Sequence, residues 1–137
     1  MLIDIGYKTS TISFYKDGYL QYLTVCQVGG YDFTRNVAQN MQISMNQAET
    51  YKIKYGSLDV TKGQNDIIHT TVIDGKKHDY TQQDLADILK ESAYNVIGKI
   101  KEKIAVIDSA GKYETLIVGG GGELEMIDTI ASEVLEC

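Results

Sequence analysis

The chain has 137 residues, long enough to bury one sizeable core, and its 13 Lys and Arg against 19 Asp and Glu leave a net charge of −6. That acidity, with a pI near 4.8, excludes a nucleic-acid binder built on a basic surface. No stretch approaches the roughly 18 consecutive apolar residues of a membrane span; no signal peptide precedes the first apolar run, and Cys26 and Cys137 lack chelating spacing, so a reducing compartment is expected.

Leu2 to Ile5 is an apolar run of strand length, which Gly6 breaks where a polar turn begins. Ser10 to Lys16 is rich in β-branched and aromatic residues, and Asp17-Gly18 is a strong hairpin signal because both central residues of a type I′ turn need positive φ. Tyr19 to Val28 reads as the returning strand, so the chain opens with a three-stranded antiparallel meander. At the tip of the first hairpin Gly6 permits close backbone approach, while Thr9, Ser10 and Thr11 offer hydroxyls to a phosphate. Asp4, at the end of the first strand, suits Mg²⁺ held through water. An ordinary polar turn is the competing reading of this segment.

Gly29-Gly30 ends the third strand and opens a helical pattern, Phe33-Val37-Ala38-Met41, with Asp32 or Thr34 as its cap. A glycine-preceded helix start makes an anion site, or simply a strand-to-helix turn. A second helix follows Ser44 or Asn46 and ends at Gly56 as its C′ residue. Glu49 and Lys52, three apart, share a face of it; by spacing alone they read as a solvated ion pair.

Ile67 to Ile73 and Lys76 to Tyr80 form a second hairpin around Asp74-Gly75. His69 and His78 stand apart from other ligating residues and read as packed or exposed histidines. From Thr81 to about Ile107 runs the most regular helical stripe: Leu85, Ile88, Leu89, Val96, Ile97, Ile100, Ile104 and Ile107. Thr81 with Asp84 resembles a capping box, and Gly98 opens the possibility of a break. Thr115 to Val118 reads as a buried strand that runs into Gly119 to Gly122 and then an amphipathic run from Leu124 to Leu135. A strand, glycines and a helix in that order let backbone lie against a flat ligand or a phosphate, although the spacing is not the Rossmann fingerprint. Strand and helix periods alternate throughout, which makes the chain one compact α/β unit.

The order of these signatures is more specific than any one of them. Leu-Ile-Asp-Ile-Gly, Tyr-Lys-Asp-Gly, Val-Gly-Gly-Tyr-Asp-Phe-Thr, Ala-Glu-Thr-Tyr-Lys and Leu-Ile-Val-Gly-Gly-Gly-Gly follow one another along the chain. In that order it resembles the second half of the actin and heat-shock-chaperone ATPase superfamily, and within it the FtsA family of bacterial actin-like division proteins. The resemblance covers the whole chain. It implies half of a ribonuclease H-like, actin-like ATPase fold, a mixed sheet with helices packed on it. Residues 1–29 and 80–137 match subdomain IIA without its final strand, and 30–79 match the inserted subdomain IIB.

The resemblance also implies a site for ATP and Mg²⁺. Asp4, Gly6 and Thr9 match the phosphate-2 loop, with Asp4 toward the metal; Gly29 and Gly30 match the glycine pair between IIA and IIB. Glu49 and Lys52 match the helix pair facing the adenosine, against the solvated-pair reading, and Gly119, Gly120 and Gly121 match the adenosine loop. Two departures stand out: Tyr7 and Lys8 occupy positions where many relatives have glycine, and Glu123 to Met126 lack a proline often found there.

The resemblance further implies an excised domain. The first actin-like half and the membrane-binding tail would lie outside it, so the fragment alone is expected not to hydrolyse ATP and to have no catalytic residue. The implied parent is cytoplasmic, peripheral to the inner face of the cell membrane, self-associates into filaments, and binds the tail peptide of the tubulin-like protein FtsZ through IIB. A PilM-type pilus-assembly homologue, or an interaction scaffold with a relic nucleotide site, is the alternative.

Overall fold

A computed structural model describes residues 1–59, 64–107 and 112–136. Strands β1 (Leu2–Ile5), β2 (Ser10–Lys16) and β3 (Tyr19–Cys26) form the expected antiparallel meander. Asp17 and Gly18 at its second turn both have positive φ, 53° and 81°, as a type I′ turn requires. The third strand ends at Cys26, two residues earlier than its pattern predicts. Val28 is buried and its carbonyl accepts a hydrogen bond from the Ser10 hydroxyl at 2.8 Å, which turns the chain out of the ladder.

Strand β6 (Leu116–Val118) joins the meander by pairing parallel to β1, giving the order β3-β2-β1-β6. It is an edge strand rather than a buried one: Leu116 is 62% exposed and Val118 37%, because among the described residues nothing pairs on its far side or covers its outer face. Leu23 and Val25 on β3 are exposed as well, so the outer face of the sheet carries uncovered apolar side chains on both edge strands, with Asp4, Thr11 and Ser13 between them.

The inner face supplies Ile3, Ile5, Ile12 and Phe14 to a single core. Helix α1 (Gly30–Met41) adds Phe33, Val37 and Met41, and α3 (Gln82–Ile107) adds Leu85, Leu89, Val96, Ile97 and Ile100. Asn36 of α1 donates to Ser92 of α3 at 2.7 Å, which satisfies both polar groups inside the helix interface. Helix α2 (Met45–Tyr55) packs on α1, and α4 (Ile127–Leu135) on α3. The hairpin of β4 (Ile67–Ile73) and β5 (Lys76–Thr81) forms a separate two-stranded sheet. His69 is packed rather than solvated: its ring stacks on Tyr80 and its Nδ1 pairs with the Tyr51 hydroxyl at 3.0 Å.

Capping follows the sequence at the starts of α2 and α3 and departs from it at the start of α1 and the end of α2. Ser44 caps α2 with Gln47 returning the bond, and Thr81 and Asp84 form the reciprocal box at α3. At α1 neither Asp32 nor Thr34 is the cap: Gly29 is, and Asp32 reaches back from inside the first turn to the Gly29 N–H at 2.9 Å. Gly56 closes α2 in an extended conformation, φ −67°, so it is not the left-handed C′ glycine of a helix end. The amphipathic run from Leu124 is one helix, but it starts three residues late. Gly120–Glu123 form a 3-10 turn, and α4 starts only after Met126, whose φ is +71°.

Helix α3 runs through Gly98 without a break. A Cβ there would meet nothing within 4 Å, so Gly98→Ala should stabilise the chain by about 0.5–1 kcal/mol through the lost entropy of the unfolded glycine. Urea denaturation checks this as a rise in midpoint at unchanged slope.

Candidate functional site

Gly6 and Tyr7, at the tip of the first hairpin, are clamped to the start of α1. The Gly6 carbonyl accepts from the Gly30 N–H at 2.8 Å, and the Tyr7 carbonyl from the Tyr31 N–H at 2.6 Å. This approach explains Gly29, where a Cβ would lie 2.5 Å from the Gly6 oxygen and 2.7 Å from that of Tyr7. The clamp also corrects an expectation. The first amides of α1 go to protein acceptors: Gly29 to Asp32, Gly30 to Gly6, Tyr31 to Tyr7 and Asp32 to Gly29. The helix start is therefore not an open anion site. Nor does Ser10 offer its hydroxyl to a ligand, since that group is buried on Val28. Thr9 stays at the tip, half-buried, with its carbonyl accepting from the Gly6 N–H at 3.0 Å.

Glu49 and Lys52 form an ion pair, Nζ to Oε2 at 2.9 Å, that is not simply solvated. The Lys52 ammonium also donates to the Thr34 hydroxyl at 2.9 Å and the Gly30 carbonyl at 3.3 Å, and Thr34 donates to Glu49. Burial pushes the Glu49 carboxyl up, but the Thr34 hydroxyl and Lys52 ammonium outweigh it and hold the group below its usual range. The reason is tertiary: α2 lies across the first turn of α1, so a pair that spacing would leave in water meets α1 polar groups instead.

Gly119 sits beside the end of β1. Its φ is +88°, and a Cβ would lie 2.2 Å from Asp4 Oδ1 and 2.6 Å from the Ile5 carbonyl. Gly121 is likewise pressed on Ile5, whereas Gly120 faces open space. Between this turn and α2 lies a cleft of about 180 Å³ lined by Gly30, Phe33, Lys52, Ile53, Gly56, Gly120, Gly121, Glu123 and Leu124. Next to Gly56 and Leu124, Ser57 bridges to Glu125 and the Leu58 N–H donates to the Glu125 carbonyl at 3.3 Å. The cleft is smaller than the ~300–1,000 Å³ of an enclosed small-molecule site, which suits one wall of a larger one.

The profile of the family described as Cell division protein FtsA matches residues 1–137. The chain belongs to the FtsA family. It is 25% identical over 140 residues to the cell division protein FtsA of Bacillus subtilis (strain 168), covering 98% of this chain and 31% of that protein. To the FtsA of Buchnera aphidicola subsp. Acyrthosiphon pisum (strain APS) it is 27% identical over 146 residues, covering 98% and 35%. The chain thus spans about a third of the length of these relatives. Among solved structures, MreB5 of Spiroplasma citri bound to ADP matches with a TM-score of 0.72 at 17% identity, over 98% of this chain and 46% of that one. The PilM-PilN type IV pilus biogenesis complex matches at 0.71 and 15% identity, over 98% and 32%. These likenesses show that the FtsA-family chain has the actin-like ATPase fold.

The site residues expected from the FtsA resemblance thus divide. Gly30, Lys52, Gly120 and Gly121 line one cleft; Gly6, Thr9 and Gly29 form the adjoining hairpin clamp. Glu49 stands behind Lys52, and Asp4 and Gly119 meet at the end of β1. Asp4 is exposed, and among the described residues no cluster of three or more His, Cys, Asp or Glu is placed to hold a metal. One carboxylate fits a Mg²⁺ that keeps its waters and takes phosphate oxygens, not a cage made by protein alone. Ile53 and Leu124 escaped the sequence reading as cleft residues. The signal for Ile53 was in its spacing: it falls off the stripe of Met45, Ala48, Tyr51 and Tyr55 on α2, and the structure leaves it 75% exposed.

Proposed function

We propose that this chain is the ATP-binding half of an FtsA-type actin-family protein that links the FtsZ ring to the membrane during bacterial cytokinesis. Residues 1–29 and 80–137 serve as its subdomain IIA and 30–79 as IIB. One observation carries the reading. Gly30 joins both halves of the site: its N–H holds the hairpin tip at Gly6, its carbonyl holds Lys52, and it lines the cleft. Adenosine then lies between α2 and the Gly120-Gly121 turn, with the phosphates toward the hairpin tip and Mg²⁺ near Asp4 through water. The exposed apolar side chains on the edge strands, Leu116 and Val118 on β6 and Leu23 and Val25 on β3, support packing against further protein, including a second copy in a filament. Exposed Ile67 and Val72 on the β4–β5 hairpin supply the apolar surface an FtsZ tail peptide would need.

Calorimetric titration with MgATP tests this. The chain alone should bind weakly or undetectably and hydrolyse nothing, because one wall leaves the phosphates in water, where each electrostatic contact is weakened. The full-length protein should bind, and Asp4→Ala in it should reduce the Mg²⁺-dependent part. Tight binding by the chain alone would show that the site is misplaced. The scaffold reading has one observation in its favour: the α1 amides are consumed by the hairpin, with Tyr7, 56% exposed, set edge-on against Tyr31. Undetectable binding by the full-length protein would favour that class.

A further inference from the structure

Lys52 has three ammonium protons and no acceptor, so its bonds can be counted. Glu49 Oε2 at 2.9 Å, Thr34 Oγ1 at 2.9 Å and the Gly30 carbonyl at 3.3 Å surround the nitrogen. The count closes: each proton has a protein acceptor. Thr34 stands at the centre, accepting from Lys52 while its single proton is shared between the Glu49 carboxylate and the Gly30 carbonyl, the latter at 3.2 Å. It is 1% exposed, so water does not reach its hydroxyl, whereas the Lys52 and Glu49 side chains are 16% and 37% exposed.

We propose that Thr34 is the positioning residue of the nucleotide cleft. Its buried hydroxyl locks the Lys52 ammonium against Glu49, so that Lys52 meets the ligand as a fixed wall and a fixed charge rather than as a hydrogen-bond donor. A lysine stem is long and flexible, and ordering it before the ligand arrives removes that cost from binding. Lys52 borders the cleft beside Phe33 and Ile53, where a wandering side chain would fill the space. The inference rests on the nucleotide reading and goes beyond it by assigning a residue that touches no ligand.

Thr34→Val keeps the volume and removes the hydroxyl; Thr34→Ser keeps the hydroxyl. In the full-length protein Thr34→Val should weaken MgATP binding about tenfold, the scale of one lost charge-assisted hydrogen bond, and Thr34→Ser should restore it. In the 137-residue chain, the ¹⁵N–¹H signal of the Lys52 ammonium should be visible in the wild type and Thr34→Ser, protected from exchange, and be lost in Thr34→Val. Backbone amide spectra confirm that each variant is folded. Thr34→Val with wild-type affinity, or with the ammonium signal intact, overturns the proposal. So does Thr34→Ser as weak as Thr34→Val, which would make packing the cause. Wild-type full-length protein that binds no ATP while its Lys52 signal is present sinks the nucleotide reading instead.

Discussion

Gly119→Ala is expected to destabilise the fold by about 3 kcal/mol, and Gly120→Val, one residue on, by under about 1 kcal/mol. Gly119 has φ +88° and ψ 166°, a region open essentially to glycine, and a methyl group there would overlap Asp4 Oδ1 and the Ile5 carbonyl. The exposed Asp4 carboxylate can turn aside, but the Ile5 carbonyl cannot yield easily, because β1 is held on both sides by β2 and β6. Gly120 has no such constraint: a Cβ meets nothing within 4 Å, and the residue lines the cleft. Its valine variant should keep the melting temperature to within about 4 °C and lose nucleotide binding in the full-length protein by filling the space the adenosine needs. For a domain of this size the Gly119 variant should melt roughly 10 °C lower. Thermal denaturation of both variants, with MgATP titration of the second, checks the pair. Equal melting losses would show that the glycine turn has one role rather than two.

Phe33→Ala is expected to cost about 3–5 kcal/mol, the range for a buried aromatic truncated in a packed core. Phe33 is 1% exposed, sits one residue before Thr34 on α1, and contributes to both the core and the cleft wall. The variant therefore tests whether core and site are one structure. Phe33→Leu, which retains most of the volume, should lose far less stability. Denaturant midpoints for the two, compared at equal slope, read the difference. A small loss for alanine would mean that α1 is loosely seated, and the clamp between Gly30 and Gly6 would then lack its support.

Much of the fold was legible because it is local. Positive φ at Asp17-Gly18 and Asp74-Gly75 follows from two adjacent residues, and the stripe of α3 from spacing along one helix. The order of the glycine motifs was enough to bring the family resemblance into view. Tertiary structure decided the rest, wherever a group chooses among partners far away in sequence. Ser10 bonds Val28 instead of a ligand, the α1 amides are taken by Gly6 and Tyr7, and Thr34 turns from a candidate cap into the hub of Lys52 and Glu49. A polar group near a glycine has many possible acceptors at equal chemical cost, and only packing brings one of them within 3 Å. Ile53 and Leu124 became walls of a cleft, and β6 an edge strand, for the same reason: which apolar side chains stay uncovered depends on how the elements stack, not on the pattern within any one of them.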